Sequence, residues 1–383
     1  MPVHFEPEEM EIRRHQVSKR LSELGLDGLL MFKQESMYYL TGYDTFGFSM
    51  FQCLISDGSG QTVLLARLPD VRQAQFTSDI QDIRLWHDTE DVNPALELRG
   101  LLDDLGYRNK TLGIEFDSYG LKAHYWRLLE PQLDGFCRLV DASTLVDQFR
   151  RVKSPTEIEY IRRAAELSDD AWDEAVRLAE PSAFEGDILA AMQGIVFRGD
   201  GDYAGNEFII GSGPSALLVR YHSGKRHLDD QDQLTLEWSA AYRRYHAAMM
   251  RTLIVGIVHP EHLGMYQACK DALLACEAVI RPGRPMGDVY QAHAKVLDAA
   301  GLGEHRMRAC GYGMSAIYTP LWVDPPMFYE GNSQLMEAGN TFFLHMILAN
   351  SDTGRAMTLG HSVLITESGC DRLSRSSLDL VIK

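Results

Sequence analysis

The sequence predicts an α/β fold divided into two domains, on three observations. Its 383 residues exceed the roughly 250 to 300 over which a single hydrophobic core keeps growing. Through the N-terminal part, short apolar runs alternate with stretches of helical periodicity, the pattern of strands and helices stacked in layers. Near residue 152 a helix start is written into Ser154-Pro155-Thr156-Glu157: an N-cap serine, a proline at the first helical position, and a glutamate that completes a capping box. The expected domains are therefore 1–152 and 153–383.

Taken in order, the first domain opens with a helix from Glu8 to Leu24. Ile12, Val17, Leu21 and Leu24 recur there at helical spacing until Gly25-Leu-Asp-Gly28 breaks the pattern. Leu29 to Phe32 reads as a buried strand, with further strands at 51–55, 62–65, 83–86 and 112–115 and helices near 93–105 and 120–129. The second domain begins with helices over 156–179 and 184–197, then a strand at Phe208–Ile210 and a Gly211-Ser-Gly-Pro214 turn. Leu234 to Thr252 reads as strand, turn and strand. Helices follow over 261–279 and 286–300, Gly311-Tyr-Gly313 reads as a turn, and strands at 341–348 and 361–365 come last.

Composition narrows the function classes. A hydrophobic fraction of 45% with 24% charged residues is that of a folded, soluble chain, and no apolar run approaches the roughly 20 residues of a membrane span. The N-terminus has no basic stretch followed by an apolar one, so a cytoplasmic protein is expected. Six scattered cysteines without a Cys-x-x-Cys exclude zinc-ribbon and thioredoxin readings and point to reduced thiols. A net charge of -17 argues against a nucleic-acid partner, since phosphate binding is driven by basic patches.

The most informative segment is the hairpin from Leu234 to Thr252, whose apolar strands hold one acid, Glu237, between Leu234 and Arg251. A lone carboxylate in an apolar strand is costly to bury, which makes it a candidate for function. Together with Ser36-Met-Tyr-Tyr-Leu-Thr-Gly-Tyr43, Phe149 to Ile161, Met250-Arg-Thr252 and Ala309-Cys-Gly-Tyr-Gly-Met314, this hairpin resembles the creatinase, prolidase and methionine aminopeptidase superfamily over nearly the whole chain. The resemblance implies an N-terminal creatinase-type α/β domain, a C-terminal "pita-bread" domain, and a homodimer.

Peptidases of that superfamily bind two divalent metals through Asp, Asp, His, Glu and Glu, hard donors that suit such ions. At the five matching places this sequence has Glu237, Ala248, Tyr312, His345 and Gly360. The expectation is no binuclear metal site and no cofactor. The match to creatinase is partial as well, because Arg220 stands at its catalytic histidine and Met250 at a glutamate. Val219 to Lys225, Leu236 to Ser239, Gly311 to Ser315, Trp322 to Asn332 and Leu344 to Met346 together look most like the ectoine-hydrolysing branch. That branch opens a cyclic amidine, ectoine, and hydroxyectoine is a further substrate to consider. The alternatives are a creatinase-like amidinohydrolase and a non-catalytic binder of a small zwitterion.

Such a substrate carries an amidinium and a carboxylate, so its pocket needs an acid and a donor. Glu237 suits the cation, either attacking the amidine carbon or acting as a base toward water. His345, which interrupts the apolar run Phe342 to Ile347, is expected to supply protons from an imidazole that titrates near neutrality; a satisfied core histidine is the competing reading. Tyr312 either donates to developing charge or fills the volume a metal site would take. Arg220 offers a bidentate partner for the carboxylate, His222 and His361 are further substrate-binding candidates, and Trp322 and Tyr329 offer aromatic faces to a cation. Tyr43, Phe46 and Phe48, in a glycine-bearing segment of the N-terminal domain, are candidates to reach a neighbouring pocket.

Overall fold

The computed structural model describes residues 3–220 and 224–383. The chain divides into two compact units, Met1–Arg150 and Arg151–Lys383.

In the first unit, α1 (Pro7–Glu23), β1 (Gly28–Met31), α2 (Gln34–Thr41), β2 (Cys53–Asp57), β3 (Thr62–Arg67), α3 (Leu68–Thr77), β4 (Asp82–Trp86), α4 (Pro94–Asp104), β5 (Thr111–Ile114), α5 (Ala123–Leu133), β6 (Arg138–Asp141) and α6 (Leu145–Arg150) follow one another. The strands form one mixed sheet in the order β4-β3-β2-β1-β5-β6. Alternation along β1 explains the layering. Leu30 and Phe32 pack with Leu98 and Leu129 of α4 and α5, whereas Leu29 and Met31 pack with Val17 and Leu21 of α1 on the other side. Tyr43 is buried inside this unit, its hydroxyl donating to Gln52 Oε1 at 3.2 Å.

The second unit contains α7 (Pro155–Leu178), α8 (Glu185–Arg198), β7 (Ile209–Ser212), β8 (Asp232–Tyr242), β9 (Tyr245–Val255), α9 (Pro260–Val279), α10 (Met286–Ala299), β10 (Ala309–Gly313), β11 (Asp324–Tyr329), β12 (Thr341–Asn350), β13 (Arg355–Ile365) and β14 (Cys370–Arg372). The expected capping box starts α7: Ser154 accepts from the Glu157 amide and the Glu157 carboxylate accepts from that of Ser154. The strands form one sheet, β11-β10-β12-β13-β9-β8-β7, with β14 beside β13. Helices α7 and α9 pack against β8/β9 and β12/β13, and each is backed by its own partner, α8 or α10. Trp238 shows how this helix face is built: it stacks on Trp172 of α7 at 5.8 Å and donates to the Ser168 carbonyl.

Gly311-Tyr-Gly313 is a strand, not the turn the glycines suggest. Strand β10 runs between β11 and β12, and a Cβ on Gly311 would meet the Phe343 carbonyl oxygen, while one on Gly313 would meet that of Asp324. These glycines serve close strand packing.

Candidate active site

The sheet register sorts the candidate residues. Paired residues on neighbouring antiparallel strands point to the same face, and Ile209, Glu237, Met250, Gly360 and His345 form one row across β7, β8, β9, β13 and β12. Ala248 lies on this face two residues before Met250, and Tyr312 joins it through its pairing with Phe343. The face is the one opposite α7 and α9.

Strand order puts Tyr312 four strands from Glu237, which at 4.7–4.9 Å per strand is roughly 19 Å across a flat sheet. Yet the Tyr312 hydroxyl donates to Glu237 Oε1 at 3.4 Å, so the sheet curls around this face and converts a row of side chains into a concave site. Trp322 Nε1 donates to the same hydroxyl at 2.8 Å. The Tyr312 ring contacts Phe343 and His345 at centroid distances of 5.4 and 5.5 Å.

Burial sets the protonation of this cluster. Glu237 is 9% exposed. Its carboxyl is pushed up to about 7 by loss of solvent, against the opposing pull of the Arg220 charge and the Tyr312 hydrogen bond. Glu115 in the first unit is raised similarly, but it accepts from the Phe32 and Lys33 amides and the Ser36 hydroxyl at the start of α2 and is a structural cap. Among the described residues Glu237 has one long hydrogen bond, to Tyr312, and none from a backbone amide of the kind that caps Glu115. His345 behaves contrary to the sequence-based expectation. Burial pulls its imidazole down to about 3, with a smaller contribution from repulsion between it and His293 when both take up protons, and its Nδ1 is buried with no hydrogen-bond partner among the described residues. It is neutral near pH 7, and Glu237 is the group poised to exchange a proton there.

The other candidates divide. Arg220 lies close enough for its charge to act on both Glu237 and Tyr312. His222 lies outside the described residues. His361 pairs with Met249 and Leu344, which turns it to the helix face, where Nε2 lies 2.6 Å from Glu277 Oε1. Burial keeps that imidazole neutral, down to about 4, so the neutral Nε2–H tautomer donates to a carboxylate that Arg372 also holds. Its adjacency in sequence to Gly360 misled, because a one-residue step reverses the face of a strand. Trp322 is buried behind Tyr312 with its N–H already engaged, a different position from the cation-facing ring expected of it. Tyr329, 48% exposed, ends the edge strand β11, and its neighbour Phe328 packs on Phe342 on the helix side. Sequence reading missed His246: its Nδ1 meets the Arg244 carbonyl and its Nε2 accepts from the Gly205 amide, and Gly205 packs against the Leu321 carbonyl beside Trp322.

The residues at the five superfamily metal positions do not fit two metal ions. Ala248 and Gly360 carry no donor, and among the described residues no group of three or more His, Cys, Asp or Glu converges to hold a metal. At Gly360 the backbone itself forbids a ligand, since a Cβ would overlap the Leu344 carbonyl oxygen and lie 3.1 Å from His345 Cα. Gly360→Ala is accordingly expected to cost at least about 3 kcal/mol or to prevent folding, a loss that denaturant titration would reveal. A stability within 1 kcal/mol of the parent would show that β12 and β13 are not so tightly apposed.

Comparison with known proteins agrees with this architecture. The model of metallopeptidase family M24 matches residues 159–367, and that of the Creatinase/Prolidase N-terminal domain matches 13–152. The chain belongs to metallopeptidase family M24. This M24 protein is 27% identical to an ectoine hydrolase from Halomonas elongata over 99% of its own length and 98% of the relative's. It is 20% identical to a Xaa-Pro dipeptidase from Pyrococcus furiosus, over 97% and 100% of the two chains. Among solved structures, a prolidase from Thermococcus sibiricus superposes with a TM-score of 0.87 at 19% identity, covering 97% of this chain and 98% of that one. A dipeptidase from Pyrococcus horikoshii gives 0.84 at 21% identity, covering 97% and 100%. These likenesses establish the creatinase-type N-terminal domain and the pita-bread M24 domain, and with them a hydrolase fold.

Proposed function

We propose that this M24 protein is a metal-independent hydrolase that opens the ring of a cyclic amidine, ectoine first and hydroxyectoine second, releasing an N-acetylated diaminobutyrate. The observation that carries the reading is one buried carboxylate, raised to about 7, on the concave face of a scaffold whose other metal positions hold Ala248, Gly360, Tyr312 and His345. A solitary acid in such a place attracts an organic cation. The full-length likeness to the Halomonas elongata ectoine hydrolase supports the choice of substrate.

In the proposed reaction Glu237 takes a proton from water as the water oxygen bonds to the amidinium carbon. The C=N electron pair moves onto a ring nitrogen, and the adduct is neutral. Glu237 then returns the proton to one nitrogen, the C–N bond to it breaks, the hydroxyl proton passes to the departing amine, and the products are an amide and an ammonium group, so the substrate's positive charge is conserved. A carboxyl titrating near 7 suits both transfers. Direct attack by Glu237 needs a separate acid for the departing nitrogen, and His345, held neutral, is not charged for that task. His345 is assigned the acceptor that orients the water, Tyr312 the donor that holds Glu237, and Arg220 the partner of the substrate carboxylate. A cytoplasmic homodimer is the proposed setting.

The test is incubation of the purified protein with ectoine, with products followed by mass spectrometry. Acetylated diaminobutyrate is expected, and quenched protein should carry no mass added at Glu237; an adduct would restore the direct-attack route. Excess chelator or added manganese should change the rate less than about 2-fold, because two of five ligands are missing. Manganese-dependent cleavage of Xaa-Pro dipeptides without ectoine consumption would overturn the proposal.

A further inference from the structure

Trp322 is fully buried, on the segment between β10 and β11, and an indole N–H has only one hydrogen-bonding role, that of donor. It is spent on the Tyr312 hydroxyl at 2.8 Å. That bond occupies one lone pair of the phenol oxygen, and the phenol's own hydrogen points at Glu237 Oε1, 3.4 Å away. The direction of the chain is therefore Trp322 to Tyr312 to Glu237, donor to acceptor at each step. Its first member is held from behind. His246, fully buried on β9, accepts the Gly205 amide, and Gly205 has no Cβ because the Leu321 carbonyl fills that space, so the residue before Trp322 is fixed by packing.

We propose that Trp322 is a positioning residue that, through Tyr312, aims one oxygen of Glu237 away from the reaction and leaves Oε2 to exchange the proton. This deepens the hydrolase reading above and rests on it for its catalytic meaning, although the hydrogen-bond chain itself is independent of any substrate. A free phenol rotates about its C–O bond and accepts as readily as it donates. With the indole bound it presents hydrogen to the carboxylate, which favours the ionised form.

The experiment uses the full chain with Trp322→Phe, Tyr312→Phe and the double variant. The stability difference between each protein and its Glu237→Gln counterpart, measured by denaturant between pH 5.5 and 9, cancels the histidines and reports the Glu237 midpoint without substrate, as the pH at which the difference stops growing. Trp322→Phe is expected to raise that midpoint by roughly half a unit to one unit, and in the Tyr312→Phe background to move it by less than about 0.2. The acid limb of kcat/KM for ectoine should shift by the same amount, with kcat down about 10-fold and KM within about 3-fold. A midpoint unmoved in Trp322→Phe, or moved equally with and without the Tyr312 hydroxyl, would overturn the proposal. If Trp322→Phe does not fold, benzothienylalanine at 322 keeps the ring's shape and removes only the N–H, and the same midpoint decides. Should ectoine not be turned over while the midpoints move as expected, the hydrolase reading fails and the hydrogen-bond chain stands.

Discussion

Glu237→Gln is expected to abolish ring opening, lowering kcat by at least about 1,000-fold, while making the protein more stable at pH 8 by about 3 kcal/mol. Both effects come from one cause. The carboxyl titrates at about 7 in the fold against 4.5 in an open chain, because burial disfavours its charge. Between those values the folded protein keeps a proton that the unfolded chain has released. Stability therefore falls as pH rises from 4.5 to 7, and the penalty is complete above 7. Glutamine has nothing to ionise, so it escapes the penalty, and the gap between the two proteins should shrink to less than half by pH 5.5. Chemical denaturation at the two pH values, beside an activity assay, checks this. A variant that loses activity and is destabilised at pH 8 would mean that the carboxylate is a structural partner. One that keeps its activity would end the catalytic assignment. The strain is of the kind stored where function needs a group that folding alone would not choose.

The second large effect is acid unfolding of the M24 unit driven by buried histidines, with stability already being lost as pH falls below 6.5, above the range in which ordinary carboxylates protonate. Burial holds His246, His293 and His361 down to about 4 and His345 down to about 3, against 6.5 in an open chain. A depressed histidine contributes stability that is complete above 6.5 and is lost as pH falls toward the folded value, since only the unfolded chain takes up the proton. Glu237 works the other way and offsets one of these four between 7 and 4.5. Near pH 5.5 unfolding should then take up about three protons, a slope of about 4 kcal/mol per pH unit. Set against a typical stability of about 5 to 15 kcal/mol, that loss unfolds the unit between roughly pH 5 and 3. Stability measured in half-unit steps from pH 7 gives the slope directly. A slope below about one proton would show that these imidazoles are charged or wet in the fold.

Much of this was legible along the chain. The Ser154-Pro155-Thr156-Glu157 box starts α7 as read, the two long strands around Glu237 appear, and Glu237, Tyr312 and Arg220 come to one place. What was not legible fails for identifiable reasons. A glycine pair reads as a turn unless the carbonyls of two flanking strands are in view, as they are for Gly311 and Gly313. Trp322 reads as a cation-facing ring until its N–H is seen to be taken. His361 stands one residue from the matching metal position, and that single step carries it through the sheet to Glu277.

Local order, then, was the chain's own doing: periodicity, caps and the loss of ligands at Ala248 and Gly360 are properties of neighbours in sequence, and they establish the fold class and argue against a pair of metals. Tertiary structure decided everything that depends on distance and on water. Tyr312 meets Glu237 only because a sheet several strands wide curls. Which of Glu237 and His345 exchanges protons near pH 7 follows from how completely each is removed from solvent, a quantity that no spacing of residues encodes.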